Sequence, residues 1–130
     1  MAVPEPSSHS IAIDRERLLI DVRIRGFLLP EDASWLGEEV RAAILTLGDA
    51  VGRHVTLYDL TEMPVAPKET LLQTQRTFDN PAVRAMWARK AAFVSPSALT
   101  RLQIGRLREV RPDFGIYADR ETAIAWLLEE

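Results

Sequence analysis

KAAFVSPSALTRLQ, residues 90–103, decides the fold. Ala91, Ala92, Phe93 and Val94 make a compact apolar strand. Ser95, Pro96 and Ser97 then supply an N-cap and N1 pair that opens a helix running to about Val110, where Pro112 stops it. Working outward toward the C-terminus, Phe114, Ile116 and Tyr117 give a last strand. Asp119 caps a final helix whose inward stripe is Ala123, Ile124, Leu127 and Leu128. In the other direction, Val55, Thr56, Leu57 and Tyr58 are a run of β-branched and aromatic residues that ends at Asp59, as a central strand would. Pro67 fits the first position of a helix carrying Leu71, Leu72 and Phe78. Asn80 and Pro81 break that helix before Val83, Met86 and Trp87 resume the pattern.

The chain opens differently. Ile11 and Ile13, then Leu18 to Ile24, are two extended stretches around the polar Asp14 to Arg17, which suits a hairpin. Leu18, Ile20, Val22 and Ile24 alternate with Leu19, Asp21, Arg23 and Arg25, a period of two with one wetter face. Glu31 and Asp32 complement the dipole of a first helix, Leu36, Val40, Ala43, Ile44 and Leu47 line its inner face, and Gly48 ends it. After the hairpin, strands and helices alternate, which implies parallel pairing with right-handed crossovers. The expected fold class is α/β: a mixed, mainly parallel sheet with an N-terminal hairpin and helices packed on it.

Composition narrows the function classes. A chain of 130 residues, 47% hydrophobic and 27% charged, suits one globular domain. With no Cys, neither a disulfide framework nor a thiolate zinc site can form, which fits a reducing compartment. The start, MAVPEPSSHS, has neither the basic region nor the apolar region of a signal peptide, and no run is long enough to span a bilayer, so the expected location is cytoplasmic. A net charge of -3 argues against general nucleic-acid binding. The charge is uneven, though: Arg84 to Arg111 holds seven basic residues and one acid, so that stretch carries +6 and the rest of the chain -9.

The order strand, strand, helix, strand, helix, strand, helix, strand, helix resembles the SpoIIAA-like fold of STAS domains and anti-sigma-factor antagonists. VTLYDLTEM (55–63) looks like that family's third strand ending in an acid, Asp59. KAAFVSPSALTRLQ looks like its fourth strand and following helix, and FGIYADRETAIAWLLEE (114–130) is similar to its closing strand and helix. The resemblance implies a single domain over residues 10–130 behind a flexible tail, 1–9. In signalling members, a Ser at the start of the helix after the third strand is phosphorylated by a partner kinase. Here Thr61 and Thr70 are the only hydroxyl residues from Asp59 to Leu72, and Pro67, Lys68 and Glu69 stand where the Ser turn would be, so the domain lacks a clear phosphorylatable Ser and Thr70 is the residue that could substitute for it. The resemblance is closer to the uncharacterised bacterial STAS/SEC14-like branch, which implies a regulatory role or an apolar ligand.

In open α/β sheets ligands bind beyond the carboxyl ends of the strands. That edge should hold the loops from Asp59 through Thr61 to Lys68, from Ser95 to Ala98 and from Ala118 to Glu121. Ser95 and Ser97 could bind an anion with their helix's N–H groups, or simply cap it. Asp59 could contact a ligand, or accept from its own turn. Arg101, Arg106 and Arg108 could meet an acidic partner, or form a solvated face. Phe78, Met86 and Trp87 could line an apolar pocket under the broken helix, or pack as core. His9 and His54 lack a metal-ligand spacing, and the nucleophile-elbow, P-loop and dinucleotide motifs are absent, so no metal, cofactor or catalytic set is expected. Trp35 and Trp126 fall off the apolar stripes, which leaves a homodimer open.

Three readings result. A non-enzymatic regulatory domain would act through an unidentified protein partner, its binding weakened by Arg101→Glu or Arg108→Glu. A carrier or sensor of a small apolar or lipid-like ligand would use Phe78, Met86 and Trp87. The third is an enzyme of unrecognised type.

Overall fold

A computed structural model describes residues 5–130. Residues 1–4, the start of the expected tail, lie outside the described residues, whereas Ser8 and His9 of that tail already belong to the first strand. β1 (Ser8–Asp14) and β2 (Leu19–Arg25) pair antiparallel. Leu18, expected as the first residue of β2, instead closes the turn with a φ of +50°. The turn is set by Asp14, whose carboxylate accepts the backbone N–H of Arg17 at 3.1 Å and leaves Leu18 to complete the reversal.

α1 (Pro30–Leu45) starts with a proline, whose missing N–H has no helical partner at that position. Asp32 then accepts the N–H of Leu29 at 3.1 Å, which fixes the entry. β3 (Val55–Glu62) leads to α2 (Lys68–Asp79), with Pro67 at the cap rather than inside the first turn. Asn80 ends α2 and caps α3 (Pro81–Arg84), its side-chain oxygen accepting the N–H of Ala82 at 2.9 Å. After β4 (Lys90–Val94), Ser97 caps α4 (Ala98–Ile104) by accepting the N–H of Thr100, so Pro96 lies ahead of the helix. The helix expected to reach Val110 tightens to a 3-10 turn over Gly105–Glu109. β5 (Gly115–Tyr117) and α5 (Arg120–Leu128) close the chain, and Asp119 caps α5 through the N–H of Thr122 at 2.8 Å.

The strands lie in the order β1-β2-β3-β4-β5, and β2 to β5 are parallel. Each parallel strand is added on the same side of the one before. Right-handed crossovers therefore carry every connection over the same sheet face. That face buries Ile20, Val22, Ile24, Leu60, Ala91 and Phe93 against Leu36 and Val40 of α1, Leu71 of α2 and Ile104 of α4. The opposite face receives no crossover. Its apolar half, Leu19, Val55, Leu57, Ala92 and Val94, is covered by Ala123 and Leu127 of α5. At Gly115 a Cβ would stand 2.7 Å from the Trp126 ring, so this helix seats only against a residue without a side chain.

Candidate functional site

Parallel pairing of β3, β4 and β5 puts the loops that follow them on one edge of the sheet. There the side chain of Ser95, 3% exposed, accepts the N–H of Ser97 at 3.1 Å, while Ser97 caps α4. Arg101 reaches back over the same turn and donates to the Ser95 carbonyl at 2.8 Å. Ser95, Ser97 and Arg101 thus form one self-satisfied turn. Arg108 lies apart from them and donates to the carbonyl of Phe114 at 3.0 Å, tying the 3-10 turn to the start of β5. Lys68 stands on another surface, in a groove between α2 and α4 with Leu71, Leu99, Leu102, Gln103 and Arg106.

Asp59 and Thr61 do meet. One carboxylate oxygen of Asp59 accepts the N–H of Thr61 at 2.9 Å and also its hydroxyl. The other oxygen accepts from Arg120 at 2.8 Å, and Arg120 also donates to both oxygens of Asp21, at 2.7 and 3.2 Å. Burial raises the pKa of Asp59, but the hydrogen bonds from Thr61 and Arg120 outweigh it and hold the carboxyl below its ordinary value. The hydrogen bond with Asp21, then that with Asp59, raises the pKa of Arg120. The cluster clamps the first turn of α5 to β2 and β3. Asp21 and Arg120 were not among the residues singled out from sequence. The only signal at Asp21 is a charge on the wetter face of an alternating strand, and Arg120 follows a capping Asp as many helix residues do.

Phe78, Met86 and Trp87 come together on the other face. They line a cavity of about 130 Å³ between the sheet and α1, α2 and α3. α1 supplies Leu36 and Val40, and the strands supply Thr56, Tyr58 and Phe93. The aromatic rings form a connected set: Tyr58 stacks on Phe93 with centroids 4.8 Å apart, and Phe78 meets Phe93 and Phe114 edge-on at 6.5 and 5.0 Å. Burial raises the pKa of the Tyr58 phenol, which therefore stays neutral in the ordinary pH range. Thr70, 2% exposed, lines the same space and donates its hydroxyl to the carbonyl of Leu28 at 2.8 Å. The charged residues among those lining the cavity are Arg41 and Arg111, and no carboxylate is among them.

Arg111 was counted only as part of the basic stretch, yet it is 5% exposed. Its guanidinium lies 4.9 Å from the centroid of Trp87 and 5.4 Å from that of Phe114. Below it His54 is fully buried; its Nδ1 accepts the N–H of Gly52 at 3.1 Å and its Nε2 has no partner among the described residues. Burial, and then the charge of Arg111, lower the pKa of His54. The Nε1 of Trp87 is likewise buried without a partner among the described residues. Among the described residues, no group of three or more His, Cys, Asp or Glu is placed to hold a metal ion, and no helix is long and apolar enough to cross a membrane.

No family model matches the chain, and no curated protein matches it. Solved structures do. An uncharacterised protein of the DUF3478 family with a SpoIIAA-like fold, from Shewanella loihica PV-4, superposes with a TM-score of 0.65 at 17% identity over 98% of both chains. The protein TM1081 superposes with a TM-score of 0.63 at 14% identity, over 94% of this chain and 88% of that one. At these identities the likeness is one of fold, and the fold is SpoIIAA-like.

Proposed function

We propose that this chain is a non-enzymatic SpoIIAA-like domain that binds a small apolar ligand between its sheet and the helices α1, α2 and α3. The observation that carries this reading is the apolar cavity of about 130 Å³ lined by Phe78, Met86 and Trp87. Its lining is mostly apolar, and apolar surface left open to water gains free energy when a ligand covers it. An apolar cavity of about 150 Å³ is known to hold benzene. The polar groups at the strand edge support the non-enzymatic part: Ser97 caps a helix, Ser95 closes a turn and Asp59 clamps Arg120. A reducing compartment belongs to the same proposal and rests on the absence of Cys from the sequence.

Native mass spectrometry of freshly purified protein should show a retained small molecule. Added benzene-sized probes at about 100 times their Kd should stabilise the fold by about 2.7 kcal/mol. Ala33→Phe, which puts a ring into the space from α1, should abolish the shift while the protein stays folded. Absence of a thermal shift with every probe, together with an empty cavity in a crystal held under xenon, would rule the reading out.

A specific observation favours a second reading, docking of a protein partner. Leu99 and Leu102 of α4 are 67% and 74% exposed, and both flank the groove that holds Lys68 and Arg106. Apolar side chains so exposed beside two cations suit an amphipathic acidic segment. Arg101 and Arg108 are poor probes of this surface, because both brace backbone carbonyls.

A further inference from the structure

The cavity is apolar in its walls but not neutral in its field. Arg41 and Arg111 line it, and no Asp or Glu does. Arg111 is the informative one, because a guanidinium that is 5% exposed would ordinarily be matched by acceptors on every side. Its Nε donates to Asp113 at 2.8 Å and its Nη2 to the carbonyl of Ala88 at 2.7 Å, while its Nη1, without a hydrogen bond among the described residues, is not buried away from all access. The carboxylate of Asp113 is 69% exposed, so water screens the countercharge it offers. A cation with one accessible donor, a solvated partner and an apolar chamber beside it has no anionic acceptor among the residues that line that chamber.

We infer that the ligand is a small aryl carboxylic acid, its ring held among the aromatic side chains and its carboxylate held by Arg111. This rests on the cavity being a ligand site, and adds the head group. The volume sets the size: an apolar cavity of about 150 Å³ holds benzene, so about 130 Å³ limits the ligand to a single small ring, with the carboxylate at the Arg111 end of the space. The lining sets the shape, since Tyr58, Phe78 and Phe93 already pack stacked and edge-on and offer the same contacts to another ring. Arg111 sets the charge. Its planar fork matches a carboxylate, and its position 4.9 Å from the Trp87 centroid puts the anion at one end of the aromatic wall. A phosphate would bring a larger desolvation cost into the same small space.

The test compares benzoate, benzamide and benzyl alcohol, three probes with the same ring, by thermal shift and by tryptophan fluorescence. On the unaltered protein benzoate should bind at least tenfold more tightly than either neutral probe. In Arg111→Met that preference should disappear, while the affinity for benzyl alcohol stays within about twofold. Equal affinity for all three probes, or a benzoate preference that survives Arg111→Met, would overturn the head-group assignment and leave the apolar cavity reading standing. Failure of all three to bind would overturn both. If Arg111→Met does not fold, the three-probe comparison on the unaltered protein decides.

Discussion

At the scale of single residues, His54 sits in an unusual position. It is fully buried at the start of β3, uses Nδ1 as an acceptor for Gly52, and lies in the field of Arg111, so both burial and charge disfavour its imidazolium. In the unfolded chain it titrates near the ordinary value of about 6.5. Its folded pKa is lower, so the unfolded state binds more protons in the window that begins near 6.5 and extends downward. Stability should therefore fall as the pH drops through that window. Urea unfolding of the unaltered protein between pH 7.5 and 5 should show this loss, and His54→Gln should flatten it. Parallel pH profiles for the unaltered protein and His54→Gln would show that the imidazole titrates alike in both states. The position of His54 was visible in the sequence as a strand start, but its burial was not, because neighbours such as Arg111 come from elements more than fifty residues further along.

At the scale of elements, α5 is the informative case. It alone covers the apolar half of its sheet face, and it is held at both ends. Arg120 clamps its first turn to Asp21 and Asp59, while Lys90 donates to the carbonyls of Trp126 and Glu129, and Arg89 to those of Leu127 and Glu129. Cations on the last carbonyls also complement the helix dipole. The side chains of Asp21, Asp59 and Arg120 are 17%, 7% and 28% exposed, between the surface and the buried limits. Arg120→Met should accordingly cost about 2 kcal/mol, between the surface-pair and buried-pair ranges, because it leaves two carboxylates facing each other. The melting temperature should drop by roughly 6–8 °C. Adding Asp59→Asn to that variant should recover part of the loss, since the repulsion is gone. A melting curve for Arg120→Met that overlays the unaltered protein would mean that α5 is held by its apolar contacts alone.

The same helix shows which features could be read early. Its cap at Asp119 and the break at Asn80 and Pro81 are local patterns that stand in the structure as the sequence implies, and of the expected stripe Ala123, Ile124, Leu127 and Leu128, Ala123 and Leu127 are buried while Ile124 and Leu128 are partly so. The partners of Arg120 are 61 and 99 residues away, and no local spacing encodes them. Arg101 and Arg108 illustrate the converse. A basic stretch was visible, but whether an arginine is free or folded back on a carbonyl depends on where a turn brings that carbonyl.

At the scale of the whole molecule, the strand order determines where a partner could bind. Successive strands joined by right-handed crossovers load one face with α1, α2 and α4, so the outer surface of that helical layer is the broadest helical surface. Trp35 and Leu45 of α1 are exposed on it, but the groove between α2 and α4 holds Leu99 and Leu102, the two most exposed large apolar side chains among the described residues, with Lys68 and Arg106 beside them. A partner there would bury the leucines and match the cations, so it should be a segment with apolar residues at helical spacing and acids at its flanks. Selection from a library of random 16-residue peptides should enrich that pattern. Leu99→Ser with Leu102→Ser should then abolish binding of the selected peptides while shifting the melting temperature by no more than about 2 °C, because neither side chain is buried. Lys68→Gln with Arg106→Gln should weaken binding at low salt and make it insensitive to added salt, since the attraction that salt screens is gone. Peptides that bind the serine variant as well as the unaltered protein, or whose binding ignores salt from the outset, would place the partner surface elsewhere on the fold.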